Sequence, residues 1–217
     1  MATRHHDRYE FGDLPLNSVD SGTNLLLTGP THGGTRELLL RLLLGDDGVL
    51  IITADTSARQ VLTAFEAVGG AVESERVRVV SCTQERDEEL GQFVASVGSP
   101  GDLTGIGIEY SGQYEQVYAR GYDTVRTGIF TLTPLLVYSD NVRPVFRFVN
   151  TVTSRIRTAD GLGICALDPS AHDDRVVNSI AQPFDARIDV READGLELRV
   201  TGLADQPDEW TAVPTIE

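Results

Sequence analysis

The sequence predicts an α/β fold, a mainly parallel sheet flanked by helices with a C-terminal β-hairpin. Three observations carry that expectation. Short, continuously apolar runs alternate with segments of helical period through residues 23–167, the pattern of buried parallel strands joined by crossover helices. From Phe184 the period changes to two, with Ala186, Ile188 and Val190, then Leu196, Leu198 and Val200, on either side of the turn Asp194-Gly195. A glycine-rich turn, Gly29-Pro-Thr-His-Gly-Gly-Thr-Arg36, stands between the first apolar run and a leucine-rich one.

Taken in order, residues 1–20 form a polar, irregular lead-in anchored by Phe11, Leu14 and Leu16. Residues 23–28 are the first strand and 38–44 fall within the first helix. The turn 45–48 leads to a second strand at 49–53. Ser57 is placed to cap a helix whose inner face carries Val61, Leu62, Phe65 and Val68, and Gly69-Gly70 ends it. A third strand spans 77–82. Leu90, Phe93, Val94 and Val97 then have helical spacing, broken by Ser99-Pro100-Gly101. Asp102 caps a helix running to about Gly121, a fourth strand spans 125–132, and Val145, Val149, Val152 and Ile156 mark a long amphipathic helix. The fifth strand, 163–167, ends in Asp168-Pro169, and a short helix carries Val176, Val177 and Ile180. Residues 1–203 read as a single domain and 204–217 as an acidic tail.

Composition narrows the function. The 217 residues include 33 acidic and 18 basic ones, a net charge of −15, and every basic residue is arginine. A lysine-free acidic chain resembles proteins of salt-in halophiles, so a halophilic cytoplasm is the expected setting. Without lysine, Schiff-base chemistry is excluded. Net negative charge disfavours non-specific grip on DNA, although charges are screened within about 3 Å at 1 M salt. No apolar run approaches a membrane span, and the N-terminus has no signal-peptide pattern. Cys82 and Cys165 each end a strand-like run and read as buried core thiols, not as a disulfide or a metal site.

The turn itself has the glycine spacing of a phosphate loop, because Gly29 and Gly34 occupy both glycine positions of G-x-x-x-x-G-K-[ST]. Pro30, Thr31, His32 and Gly33 fill the four places between them. Thr35 then stands where the lysine belongs and Arg36 where the magnesium-binding hydroxyl belongs. If phosphate binds this chain, Gly29 to Arg36 is where it would bind.

With Ser99–Ser111, Ile129–Asp140 and Leu167–Arg175 in order behind that loop, the chain resembles the RecA/KaiC-like P-loop ATPases, in particular a haloarchaeal branch. The resemblance covers about residues 10–200. It implies that Phe130 stands where relatives carry the metal-orienting acid. It also implies that Asp55-Thr56 stand where relatives carry two water-activating glutamates. A lysine–phosphate contact contributes roughly 1.5–3 kcal/mol, so its loss costs about ten- to a hundredfold in affinity. Some binding by loop N–H groups survives that loss. Phosphoryl transfer without lysine or metal-orienting acid does not. The expectation is a non-catalytic regulatory or protein-interaction module with no catalytic residues, no metal site and no cofactor beyond weak ATP or ADP with magnesium. The alternatives are a nucleotide-binding protein or weak ATPase, and an accessory factor in DNA recombination or repair.

Other constellations read two ways. Arg36 either contacts a phosphate in the loop or points outward from the first helical turn. Asp168, with His172, Asp173 and Asp174, forms either a magnesium or pH-sensing site or, as favoured, a carboxylate-rich helix start. Together with Asp55 and Phe130, Asp168 marks the remnant of a nucleotide site. Tyr110, Tyr114, Tyr118 and Tyr122 recur every four residues. They either pack on the sheet or form a surface for a protein partner or self-association. Arg143, Arg147, Arg155 and Arg157 flank the long helix and read as a solvated face.

Overall fold

The computed structural model describes residues 8–31, 34–73, 76–83 and 90–216. Two short strands, β1 (Arg8–Tyr9) and β2 (Val19–Asp20), pair as a small antiparallel sheet. The main sheet has nine strands: β3 (Asn24–Thr28), β4 (Gly48–Thr53), β5 (Val77–Ser81), β6 (Val94–Ser96), β7 (Val125–Ile129), β8 (Leu162–Leu167), β9 (Ala186–Glu192), β10 (Leu196–Thr201) and β11 (Thr211–Ala212). Their order is β11-β10-β9-β3-β8-β7-β4-β5-β6. All pairings from β9 to β6 are parallel, and β10 and β11 add antiparallel strands at one edge.

The strands are apolar on both faces because both faces are covered. Leu25 and Leu27 join a core with α1 (Thr35–Leu42) and α2 (Ala58–Ala67). Leu26, between them, joins the opposite core with α3 (Leu103–Ala119), α4 (Thr133–Val137), α5 (Val142–Thr158) and α6 (Asp174–Ala181). β4 repeats the alternation with Val49 and Ile51 against Leu50 and Ile52. Local chemistry starts the helices. Ser57 and Gln60 make a reciprocal capping box on α2, and Asp102 accepts from Gly105 N–H at 2.8 Å on α3.

Two local expectations are corrected. Val94, within the run spaced like a helix, lies instead in β6, which pairs with the exposed edge of β5 through Val79↔Val94. The segment is short and β-branched, and the open ladder edge supplies partners that a one-turn helix lacks. The fourth strand stops at Ile129, and Pro134 opens the five-residue α4. The acidic tail, described over 204–216, is in part packed on the sheet. β11 pairs with β10, Val213 is buried, and Arg41 donates to the Pro214 carbonyl at 2.6 Å.

The lead-in is also built into the fold. Tyr9 is buried and its hydroxyl donates to the Asp160 carbonyl at 2.8 Å. Below it, Arg126 and Asp47 form a buried ion pair at 2.7 Å, and the same guanidinium reaches the carbonyls of Glu10 and Leu42.

Candidate functional site

β3 and β8 are neighbours whose following connections leave in opposite directions. β3 leads through α1 to β4, and β8 leads through α6 to β9 on the far side of β3. The crevice at their carboxyl ends is where an open α/β sheet binds ligands. Gly29–Thr31, Gly34–Arg36 and Asp168 lie there. His32 and Gly33 fall outside the described residues.

Backbone geometry keeps the turn compact. Gly34 has φ 77°, a left-handed conformation suited to glycine, and hands the chain directly to α1 with no side-chain cap. A methyl group on Gly29 would lie 2.5 Å from Thr35 Oγ1, so only glycine fits beneath the turn. Thr35, at the position where a lysine would reach outward, is buried and folds back to donate to the Pro30 carbonyl at 3.0 Å.

A carboxylate faces the turn from β8. Thr31 donates to Asp168 Oδ2 through both its N–H and its hydroxyl, each at 3.0 Å. Ser170 donates to Oδ1 through its N–H at 3.0 Å and its hydroxyl at 2.6 Å. Burial raises the Asp168 carboxyl, but the hydrogen bonds from Ser170 and Thr31 outweigh it and hold the group below the ordinary carboxylate range. Burial depresses the nearby His172, and the charge of Asp168 opposes that only in part. Asp173 caps no backbone N–H with its side chain. Among the described residues, no three His, Cys, Asp or Glu side chains are arranged to hold a metal ion.

Arg36 turns toward the segment that follows β4. It pairs with Asp55, donates to Thr56 Oγ1 at 3.2 Å, and lies over the Phe130 ring with its carbon 5.1 Å from the centroid. Phe130 is buried just past β7, its N–H held by the Ile52 carbonyl at 2.8 Å. Arg36, Asp55, Thr56 and Phe130 therefore form one contact cluster beside the turn. Between Thr31, Thr35, Phe130 and Asp168 remains a cavity of about 10 Å³, at the lower bound for one water. The larger concavity, about 630 Å³, lies on the other side of Arg36 between α1 and α2, and is lined by Leu40, Ala64, Val68 and Ile216.

The tyrosine stripe divides. Tyr110 and Tyr114 are buried with rings edge-to-face at 5.9 Å, and Tyr122 packs against the same core. Only Tyr118 stands well exposed. Sequence reasoning missed the contacts of Thr31 and Ser170 with Asp168. The Ser170 contact has a local signal in Asp-Pro-Ser, while the Thr31 contact has none.

This fold, a mostly parallel sheet covered by helices on both sides, is that of RecA/KaiC-like α/β domains. The KaiC-like protein PH0186 from the hyperthermophilic archaeon Pyrococcus horikoshii OT3 superposes with a TM-score of 0.66 at 13% identity, over 96% of this chain and 99% of that one. PH0250 of the same organism gives 0.60 at 12% identity, over 88% and 93%. The chain belongs to DUF7504, a family of unknown function, whose model matches residues 22–190. No curated protein matches it. No helix among the described residues is long and apolar enough to cross a membrane.

Proposed function

We propose that this domain is a non-catalytic regulatory or protein-interaction module in which the nucleotide loop is closed by the chain's own side chains. The observation that carries this reading is the pair of hydrogen bonds that Thr31 donates to Asp168. It uses an N–H that a phosphate-binding turn would offer to its ligand and sets a carboxylate at the mouth. A phosphate oxygen about 4 Å from that carboxylate meets a repulsion of about 4 kcal/mol per pair of charges at an effective dielectric of 20. Arg36, the one cation on the turn, is already neutralised by Asp55. A halophilic cytoplasm suits the lysine-free, acidic composition.

The rival reading, a nucleotide-binding protein or weak ATPase, draws on the retained left-handed Gly34 and the uncapped start of α1. Calorimetric titration with ATP and magnesium in molar salt separates the two. The module reading predicts no saturable heat. Micromolar binding, or steady phosphate release, overturns it.

A further inference from the structure

The outer face of α5 breaks the charge pattern of the chain. Residues 141–159 contain no acid, although the chain carries 33, and α5 bears four arginines. Two of them are paired, Arg155 with Glu115 at 3.7 Å and Arg157 with Asp185 at 3.0 Å. Arg143 and Arg147 are exposed, one helical turn apart on the same face. Among the described residues neither guanidinium has an ion-pair or hydrogen-bond partner. Most other described arginines do: Arg8, Arg41, Arg187, Arg191 and Arg199 all face carboxylates.

The segment leading into this helix exposes two large apolar side chains. Val137, the last residue of α4, is 68% exposed and Tyr138 is 65% exposed, although Leu135 just before them is fully buried. Tyr138 lies against the Pro100–Gly101 turn, where a methyl group on Gly101 would come 3.7 Å from Tyr138 Cβ. Apolar and cationic groups thus share one shoulder of the molecule, α4 to the first turns of α5.

We propose that this shoulder, with Val137, Tyr138, Arg143 and Arg147, is a docking surface for an acidic protein segment carrying an apolar anchor residue. Charge complementarity selects the occupant. On a chain of net charge −15, the two unpaired guanidiniums of this shoulder outnumber its one exposed carboxylate, Asp140, so an acidic segment meets a local excess of positive charge here. Tyrosine and arginine together are the residue types in which binding energy concentrates at protein interfaces. Each planar guanidinium can grip a carboxylate through two N–H groups. Nucleic acid fits less well. Two free guanidiniums neutralise about two phosphates against the whole negative chain, and the single exposed ring of Tyr138 can stack one base where single-strand binders use several.

The assignment deepens the interaction-module reading and rests on it for biological role, but binding at the shoulder is tested separately from the nucleotide titration. The probe is a fluorescein-labelled twelve-residue peptide alternating leucine and glutamate, with its leucine–lysine counterpart and a twenty-nucleotide oligo-dT as comparisons. Fluorescence anisotropy is followed with the full chain at several salt concentrations. The acidic peptide is expected to bind selectively. Arg143→Glu with Arg147→Glu should weaken it about tenfold or more, as two lost charge contacts predict. Val137→Ser with Tyr138→Ser should weaken it with little change in salt dependence. Arg8→Glu, on a paired arginine of β1, should leave it unchanged. All five positions are exposed, and equal urea midpoints confirm that the variants fold. The proposal is overturned if the acidic peptide binds no better than the basic one, or if the double arginine variant binds it equally well. It is also overturned if oligo-dT binds and is the ligand lost in that variant, which would make the face a nucleic-acid site.

Discussion

Asp168→Ala tests whether one carboxylate holds the loop shut. The substitution removes four acceptor contacts, two from Thr31 and two from Ser170. The Ser170 pair is local and exposed, comparable to a cap, and contributes about 1 kcal/mol. The Thr31 pair is part-buried and spans distant segments. Hydrogen bonds to a charged group contribute roughly 1.5–3 kcal/mol, and two sharing one oxygen fall short of twice that. Because the carboxylate is part-exposed, the lower end applies, about 1.5–2 kcal/mol for the Thr31 pair, and the expected loss is about 2.5–3 kcal/mol at neutral pH. With a slope near 2 kcal/mol per molar urea, the midpoint falls by about 1 M or more. The pH dependence has a definite sign. The folded-state carboxyl lies below the unfolded value of about 3.9, so its contribution is complete above that value and disappears as pH falls through the folded-state one. The gap between parent and variant should therefore narrow as acid is added. Urea unfolding monitored by fluorescence at neutral pH and near pH 3 measures both quantities. A midpoint within about 0.2 M of the parent, or a gap of constant size at both pH values, refutes the reasoning.

Two further outcomes follow from the packing. Arg126→Met should destabilise by about 3–5 kcal/mol, because it leaves Asp47, 4% exposed, without its 2.7 Å partner and strands the carbonyls of Glu10 and Leu42. Thermal unfolding checks it, and a loss under about 1 kcal/mol contradicts a structural role for the pair. Burial pushes the Cys82 thiol up to about 12 and raises that of Cys165 as well. Both cysteines should stay unreactive toward a disulfide reagent at neutral pH until denaturant is added, whereas rapid labelling of the native chain would contradict their burial.

The strands were legible because a sheet covered on both faces leaves no polar alternation to confuse them, as Leu25–Leu27 and Val49–Ile52 show. The helix starts were legible because Ser57 and Asp102 cap them with their own side chains. β6 was not, since a three-residue strand is stabilised by the neighbouring β5 edge, a partner that periodicity does not contain. β11 was hidden by Asp205, Asp208 and Glu209, whose charge masks the short run that ends in the buried Val213. The buried Arg126–Asp47 pair has no signal in the sequence, because pairing across 79 residues leaves no local mark. For the site, sequence located the turn but not its partners. Thr31 and Asp168 are 137 residues apart, and what unites them is the adjacency of β3 and β8.

The cluster beside the turn is internally consistent in a way that single departures from a motif would not require. The resemblance places a magnesium-binding hydroxyl at Arg36, a metal-orienting acid at Phe130 and a water-activating acid at Asp55. A guanidinium at the first position brings a permanent cation into the region where a divalent ion would otherwise balance charge. An acid at the second would add to its neutralisation, but a phenyl ring there instead offers a π-face, and Arg36 lies over it. Asp55 then supplies the single negative charge the cation needs, steadied by Thr56 Oγ1 at 3.1 Å. Changing any one residue alone leaves a defect: an unpaired guanidinium, an uncovered ring or a lone carboxylate. Arg36, Asp55, Thr56 and Phe130 thus meet one another's charge and ring face within the chain, while the buried Arg36 Nε has no hydrogen-bond partner among the described residues.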